Sequence, residues 1–109
     1  MTPDERFRFE FLATLIHEGM VQPLAIWLAD APGWAESFVT RLVDDGFVDL
    51  LTGSTFDAAA RLPERDARNL LSSGDARAAY DVWLVPTASG ALKFAETNSR
   101  AMFEYCSSA

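Results

Sequence analysis

The side chains able to do chemistry in this sequence are few and stand apart. His17 is the single histidine, and general-base or metal chemistry at an imidazole needs other groups converging on it. No second histidine and no cysteine pair supplies them, so His17 reads as a surface or core-edge residue. Asp44, Asp45 and Asp49 crowd one turn and offer the oxygen atoms a divalent cation takes. Their spacing is not that of a calcium loop, so they read as plain acidic surface. Cys106 has neither a neighbouring base nor a helix N-terminus to activate its thiol. The glycine-bearing turns "TGST" (52–55) and "TASG" (87–90) lack phosphate-loop spacing, and no serine-nucleophile motif occurs. No enzymatic activity, metal or cofactor is expected.

Charge is the more informative chemistry. The 109 residues carry a formal net charge of -7, and its distribution is uneven. Residues 1–56 hold nine carboxylates against three arginines, whereas residues 57–80 balance four against four. Arg61, Arg65 and Arg68 fall at i, i+4 and i+7, which on one helix would line one face. They read either as a basic patch or as solvated partners of Asp57, Glu64 and Asp66. An acidic field repels phosphate backbones and attracts basic surfaces.

Half the residues are hydrophobic, which suits one domain over residues 1–109 with a single core. The apolar runs are too short for a membrane span, and the N-terminal "MTPDERFRFEF" is not a signal peptide. With one cysteine, a cytoplasmic protein is expected.

These side chains are positioned by elements that the sequence announces. Thr2, Pro3 and Glu5 form a capped helix start, followed by Phe7, Phe11 and Leu15 on one stripe, with Gly19 to close it. A second helix begins near Pro23, presents Leu24, Trp27 and Leu28 inward, and stops by "DAPG" at 30–33. The third buries Ala35, Phe38, Val39, Leu42 and Val43 and ends at Gly46. "FVDLL" (47–51) and "YDVWLVP" (80–86) read as strands, the latter with Tyr80, Val82 and Leu84 on one face. Between them, "LPERDARNLLSSG" reads as a helix started by Pro63, supported by a Glu64–Arg68 pair and stopped by Gly74.

A long helix is expected over 88–106, capped by Thr87. One stripe holds Leu92, Ala95, Ser99, Met102 and Cys106; another holds Phe94, Ala101 and Tyr105. A helix apolar on two sides usually has two neighbours. One would be the core. The Phe94–Ala101–Tyr105 stripe is the expected seam of a homodimer.

The order of these pieces, with Gly46-Phe47-Val48 ending the third helix and Leu84-Val85-Pro86-Thr87-Ala88-Ser89-Gly90 starting the last, resembles the winged-helix (winged helix-turn-helix) superfamily, and a bacterial or phage protein is expected. The resemblance covers roughly residues 5–51 and 80–105. It implies an α+β, mostly α fold: three N-terminal helices, a two-stranded antiparallel wing with a helical insert (52–79), and a long C-terminal helix. The insert is longer than the usual wing loop.

The resemblance also implies a small dimeric regulator of transcription whose third helix enters the major groove of double-stranded DNA. Ser37 or Thr40 would then bind phosphate and Arg41 would read guanine, with Arg61, Arg65 and Arg68 as a basic wing. The charge of that segment opposes this role: Glu36 and Asp44 stand among the groove-facing positions, Asp45 follows, and each carboxylate repels phosphate. The alternative keeps the scaffold without the DNA: an acidic interaction module, such as an inhibitor, immunity-type protein, phage antagonist or adaptor, that binds a basic protein. Its interface would comprise Trp34, Glu36, Asp44, Asp45 and Asp49.

Overall fold

The computed structural model describes residues 2–95 and 100–107. Helix α1 (Pro3–Ile16) opens with the expected capping box: the Thr2 hydroxyl accepts from the Glu5 amide at 3.1 Å, and the Glu5 carboxylate accepts from the Thr2 amide at 3.2 Å. Such a cap is worth about 1 kcal/mol. Helix α2 (Leu24–Leu28) is short and buries Leu24, Ala25 and Leu28. Helix α3 (Ala35–Asp44) buries Ala35, Phe38, Val39 and Leu42. It ends in a Schellman motif, with the Gly46 amide donating to Val43 and the Phe47 amide to Leu42, at 3.0 and 2.9 Å. Gly46 adopts φ +76, the left-handed conformation that the motif needs at this position.

The chain leaves that turn straight into β1 (Val48–Thr52). This strand pairs antiparallel with β3 (Val82–Pro86) in the register Val48↔Pro86, Leu50↔Leu84, Thr52↔Val82. Val48, Leu50, Val82 and Leu84 bury one face of the pair, as the period-two pattern predicts. Two details differ from expectation. Tyr80 lies before the strand and is 64% exposed. The insert also adds a third strand, β2 (Ala60–Arg61), so the sheet order is β2-β1-β3. The "TGSTFDAAAR" stretch returns alongside β1 because the Leu62 amide donates to the Leu50 carbonyl at 2.7 Å, extending the pairing past Arg61.

Helix α4 (Glu64–Ser73) follows Pro63 and stops at Gly74, as expected, burying Ala67 and Leu71. It lies against α3, and the 3-10 turn that follows it (Asp75–Ala78) lies against α2. The insert is therefore a wall of the core, whose buried residues form one cluster running from Phe11 to Cys106.

The single long helix expected over 88–106 is instead two among the described residues, α5 (Ala88–Phe94) and α6 (Arg100–Ser107). Ser99 of the expected stripe lies outside the described residues. On one straight helix Met102 and Cys106 would point roughly 80° and 120° away from Phe94. Divided, the segment buries Phe94, Met102 and Cys106 almost completely, at 1%, 0% and 0% exposure, while Leu92 is 76% exposed. Together these elements form an α+β fold in which helix predominates over a small antiparallel sheet. No described helix is long and apolar enough to cross a membrane.

Candidate interaction surface

Helix α3 is flanked on both sides. On one side stands α4. On the other, Phe38 packs against Phe11 of α1 and Tyr105 of α6, with ring centroids 5.8 and 6.5 Å apart. Between these flanks the helix exposes Ser37 and Asp44, with Arg41 partly exposed.

Three of the four arginines in the DNA reading meet carboxylates, and Arg65 is exposed on α4 with no ion pair among the described residues. The Arg41 guanidinium lies over the Tyr105 ring at 4.1 Å from its centroid and 3.9 Å from the Asp45 carboxylate. Arg61 stands on β2 and pairs with Asp49 at 3.2 Å. Arg68 pairs with Asp44 at 2.7 Å and with Glu64 at 3.0 Å. Its hydrogen bond to Asp44, followed by the attraction of that charge, raises the guanidinium pKa. Only Arg65 and Arg68 share α4, so the three-arginine helical stripe does not form: the β2 pairing takes Arg61 out of the helix. Thr40 turns its hydroxyl back onto the Glu36 carbonyl at 2.8 Å.

The acidic residues of the alternative interface are engaged by the same contacts. Asp44 and Asp49 hold Arg68 and Arg61, and Asp45 accepts from the Tyr105 hydroxyl at 2.7 Å. Burial, then that hydrogen bond, raises the Tyr105 pKa. Glu36 meets a residue that sequence reasoning passed over. Arg77, 41 positions away in the 3-10 turn, donates to both Glu36 carboxylate oxygens at 2.9 and 3.0 Å. The same guanidinium donates to the carbonyls of Leu28, Ala31 and Pro32 at 2.9, 3.0 and 2.6 Å. It thereby ties the end of α2, the "DAPG" turn and the start of α3 to the insert. This bidentate pair depresses the Glu36 pKa and raises that of Arg77. The only sequence signal for it was an arginine in a run whose charges already balance.

Trp34 stacks edge-on to Phe7 with centroids 5.4 Å apart and lies under the Arg8 guanidinium at 5.2 Å. With Asp4, Arg8, Ser37, Phe38 and Arg41 it lines a shallow hollow of about 260 Å³ between α1 and α3. Arg8 also donates to the Cys106 carbonyl at 2.9 Å, which pins α6 to α1.

The expected dimer seam is corrected. Phe94 is 1% exposed inside its own chain, and Tyr105 packs within 5.6 Å of the Phe47 and Phe94 rings, so only Ala101 stands clear of these ring contacts. His17 is exposed and Cys106 buried. Among the described residues, no group of three or more histidine, cysteine or carboxylate side chains is placed to hold a metal ion. Comparison with models of protein families, with curated proteins and with solved structures finds no match to this chain.

Proposed function

We propose that this chain is a protein-interaction module that presents an acidic surface on a winged-helix-like scaffold and binds a basic protein partner. One observation carries the reading. Arg41, Arg61 and Arg68 each stand within 4 Å of a carboxylate from the α3–β1 segment, namely Asp45, Asp49 and Asp44. Exposed pairs of this kind add little stability. At the distance of an approaching phosphate backbone, however, each pair sums to nearly nothing. The remaining excess of the -7 net charge is felt instead, which speeds encounter with a basic surface.

The scaffold reading is supported by the three-helix order ahead of an antiparallel β1–β3 pair. Pro23, between α1 and α2, also bridges to Trp83 on the sheet. The test is affinity capture from native extract at low salt, with the eluate treated with nuclease. A basic protein that survives nuclease and is released by salt is the expected result. A capture that depends on nucleic acid refutes the reading.

A second reading, a dimeric transcription regulator, draws on the hollow that brings Ser37 and Arg41 beside Arg8. Its dimer would use Leu92 and Phe103, 76% and 45% exposed, in place of Phe94.

A further inference from the structure

The carboxylates singled out in the sequence are occupied by arginines, so the uncompensated acid lies elsewhere. Part of it surrounds a groove of about 470 Å³ built almost wholly by the insert. Leu62, Leu70, Ala79 and Val82 supply apolar walls; Asp66, Asp75 and Asp81 stand among them, and all three are exposed. None of the three forms an ion pair among the described residues. Asp75 accepts from the Ser73 hydroxyl at 3.3 Å. Among the described residues, no arginine or lysine lines the groove.

We infer that this groove docks a basic amphipathic segment of a partner protein, with the partner's apolar side chains between Leu62 and Leu70 and its lysines or arginines against the three aspartates. The inference rests on the reading of the chain as a module for a basic protein. Two features select this occupant. Carboxylates around apolar walls complement a segment that alternates apolar and cationic groups, and they repel nucleic acid. The carboxylates are also too dispersed for a metal ion, since no described cluster of three could hold one. Hydrogen bonds hold one wall of the groove in place: Arg77 fastens the 3-10 turn to α2 and α3, and the Ala25 amide donates to the Ala79 carbonyl at 3.2 Å. A preformed groove reduces the ordering cost of association.

The test is titration of the 15N-labelled full chain with a peptide of about 18 residues, leucine and lysine in helical repeat. A control peptide carries glutamate for lysine. Saturating shifts confined to Leu62, Asp66, Leu70 and 78–82 are expected, with the lysine peptide about tenfold tighter than its control. Asp66→Lys, Asp75→Lys and Asp81→Lys should each weaken binding severalfold. Asp4→Lys and Glu18→Lys on and after α1, with the same change in net charge, should change it by less than about twofold. Should a reversal unfold the chain, the triple asparagine variant at 66, 75 and 81 replaces it, with the same expected loss. Shifts mapping elsewhere, or equal loss from the distant reversals, overturn the groove and leave the basic-partner reading standing. Absence of saturable binding by the lysine peptide overturns both.

Discussion

The Arg77 guanidinium grips Glu36 through two parallel hydrogen bonds of 2.9 and 3.0 Å, and this pair joins the 3-10 turn of the insert to the first turn of α3. A point charge cannot copy the arrangement, because only the planar fork reaches the carboxylate and three carbonyls together. The Glu36 side chain is 17% exposed and that of Arg77 33%, so solvent weakens the pair without removing it. Arg77→Ala should destabilise the fold by about 2–3 kcal/mol, and Arg77→Lys by most of that amount. Urea denaturation measures both. A change for Arg77→Ala below about 0.5 kcal/mol would mean that the insert is not fastened there.

Acid should act through the same pair. The Arg77 hydrogen bonds hold the Glu36 carboxyl below its usual pKa of about 4.5. A depressed folded-state value contributes stability that is complete above the unfolded pKa and lost as pH falls through the folded one. The stability difference between wild type and Glu36→Gln should therefore be constant near neutrality and shrink below about pH 4.5. Denaturation curves at a series of pH values give the difference directly; a gap unchanged down to about pH 3 contradicts the linkage.

Gly90 tests how α5 is joined to the Val48–Pro86 end of the β1–β3 pair. The Thr87 hydroxyl accepts from the Gly90 amide at 3.0 Å and donates to the Gly46 carbonyl at 2.6 Å, drawing α5 onto the turn after α3. A Cβ on Gly90 would collide with the carbonyl of Phe47. Gly90→Ala should cost about 3 kcal/mol, at the upper end of overpacking changes. Thermal denaturation reads this as a clear fall in Tm.

Much of this frame was legible because its signals are local. The Thr2–Glu5 box, the Gly46 stop, Pro63 before α4 and the alternation of Val82 and Leu84 all act within a few residues. Arg77 was not legible, because its partners lie 41 to 49 positions away. Periodicity likewise marks Leu71 as buried without saying that α4 covers α3. The sequence has no glycine or proline near Ala95 to mark the end of α5, so periodicity alone runs Phe94 into one long stripe and turns it toward a partner subunit. The candidate site is legible in part: charge and spacing mark Asp44 and Arg68, but not that each occupies the other across 24 positions.

Cys106 and Phe94 report on how α5 and α6 close the core. Burial, the largest influence, pushes the Cys106 thiol up to about 11. At pH 8 the thiol should stay unreactive toward an aromatic disulfide reagent until urea unfolds the chain, since protonation and burial both protect it. Labelling at the rate of a free thiol would show α6 undocked. Phe94→Ala should lower stability by about 3–5 kcal/mol. Loss of a dimer by light scattering, with stability unchanged, would restore the seam.

The acidic α3–β1 segment that engages Arg41, Arg61 and Arg68 is tested most directly by fluorescence anisotropy at low salt. The probes are labelled double-stranded DNA of random sequence and the fragment upstream of the gene. No saturable binding by the wild type is predicted, with weak, salt-sensitive binding gained when Asp44, Asp45 and Asp49 are all changed to asparagine. Tight wild-type binding that falls steeply with added salt and vanishes in Arg41→Glu would contradict the interaction-module reading and establish the DNA one.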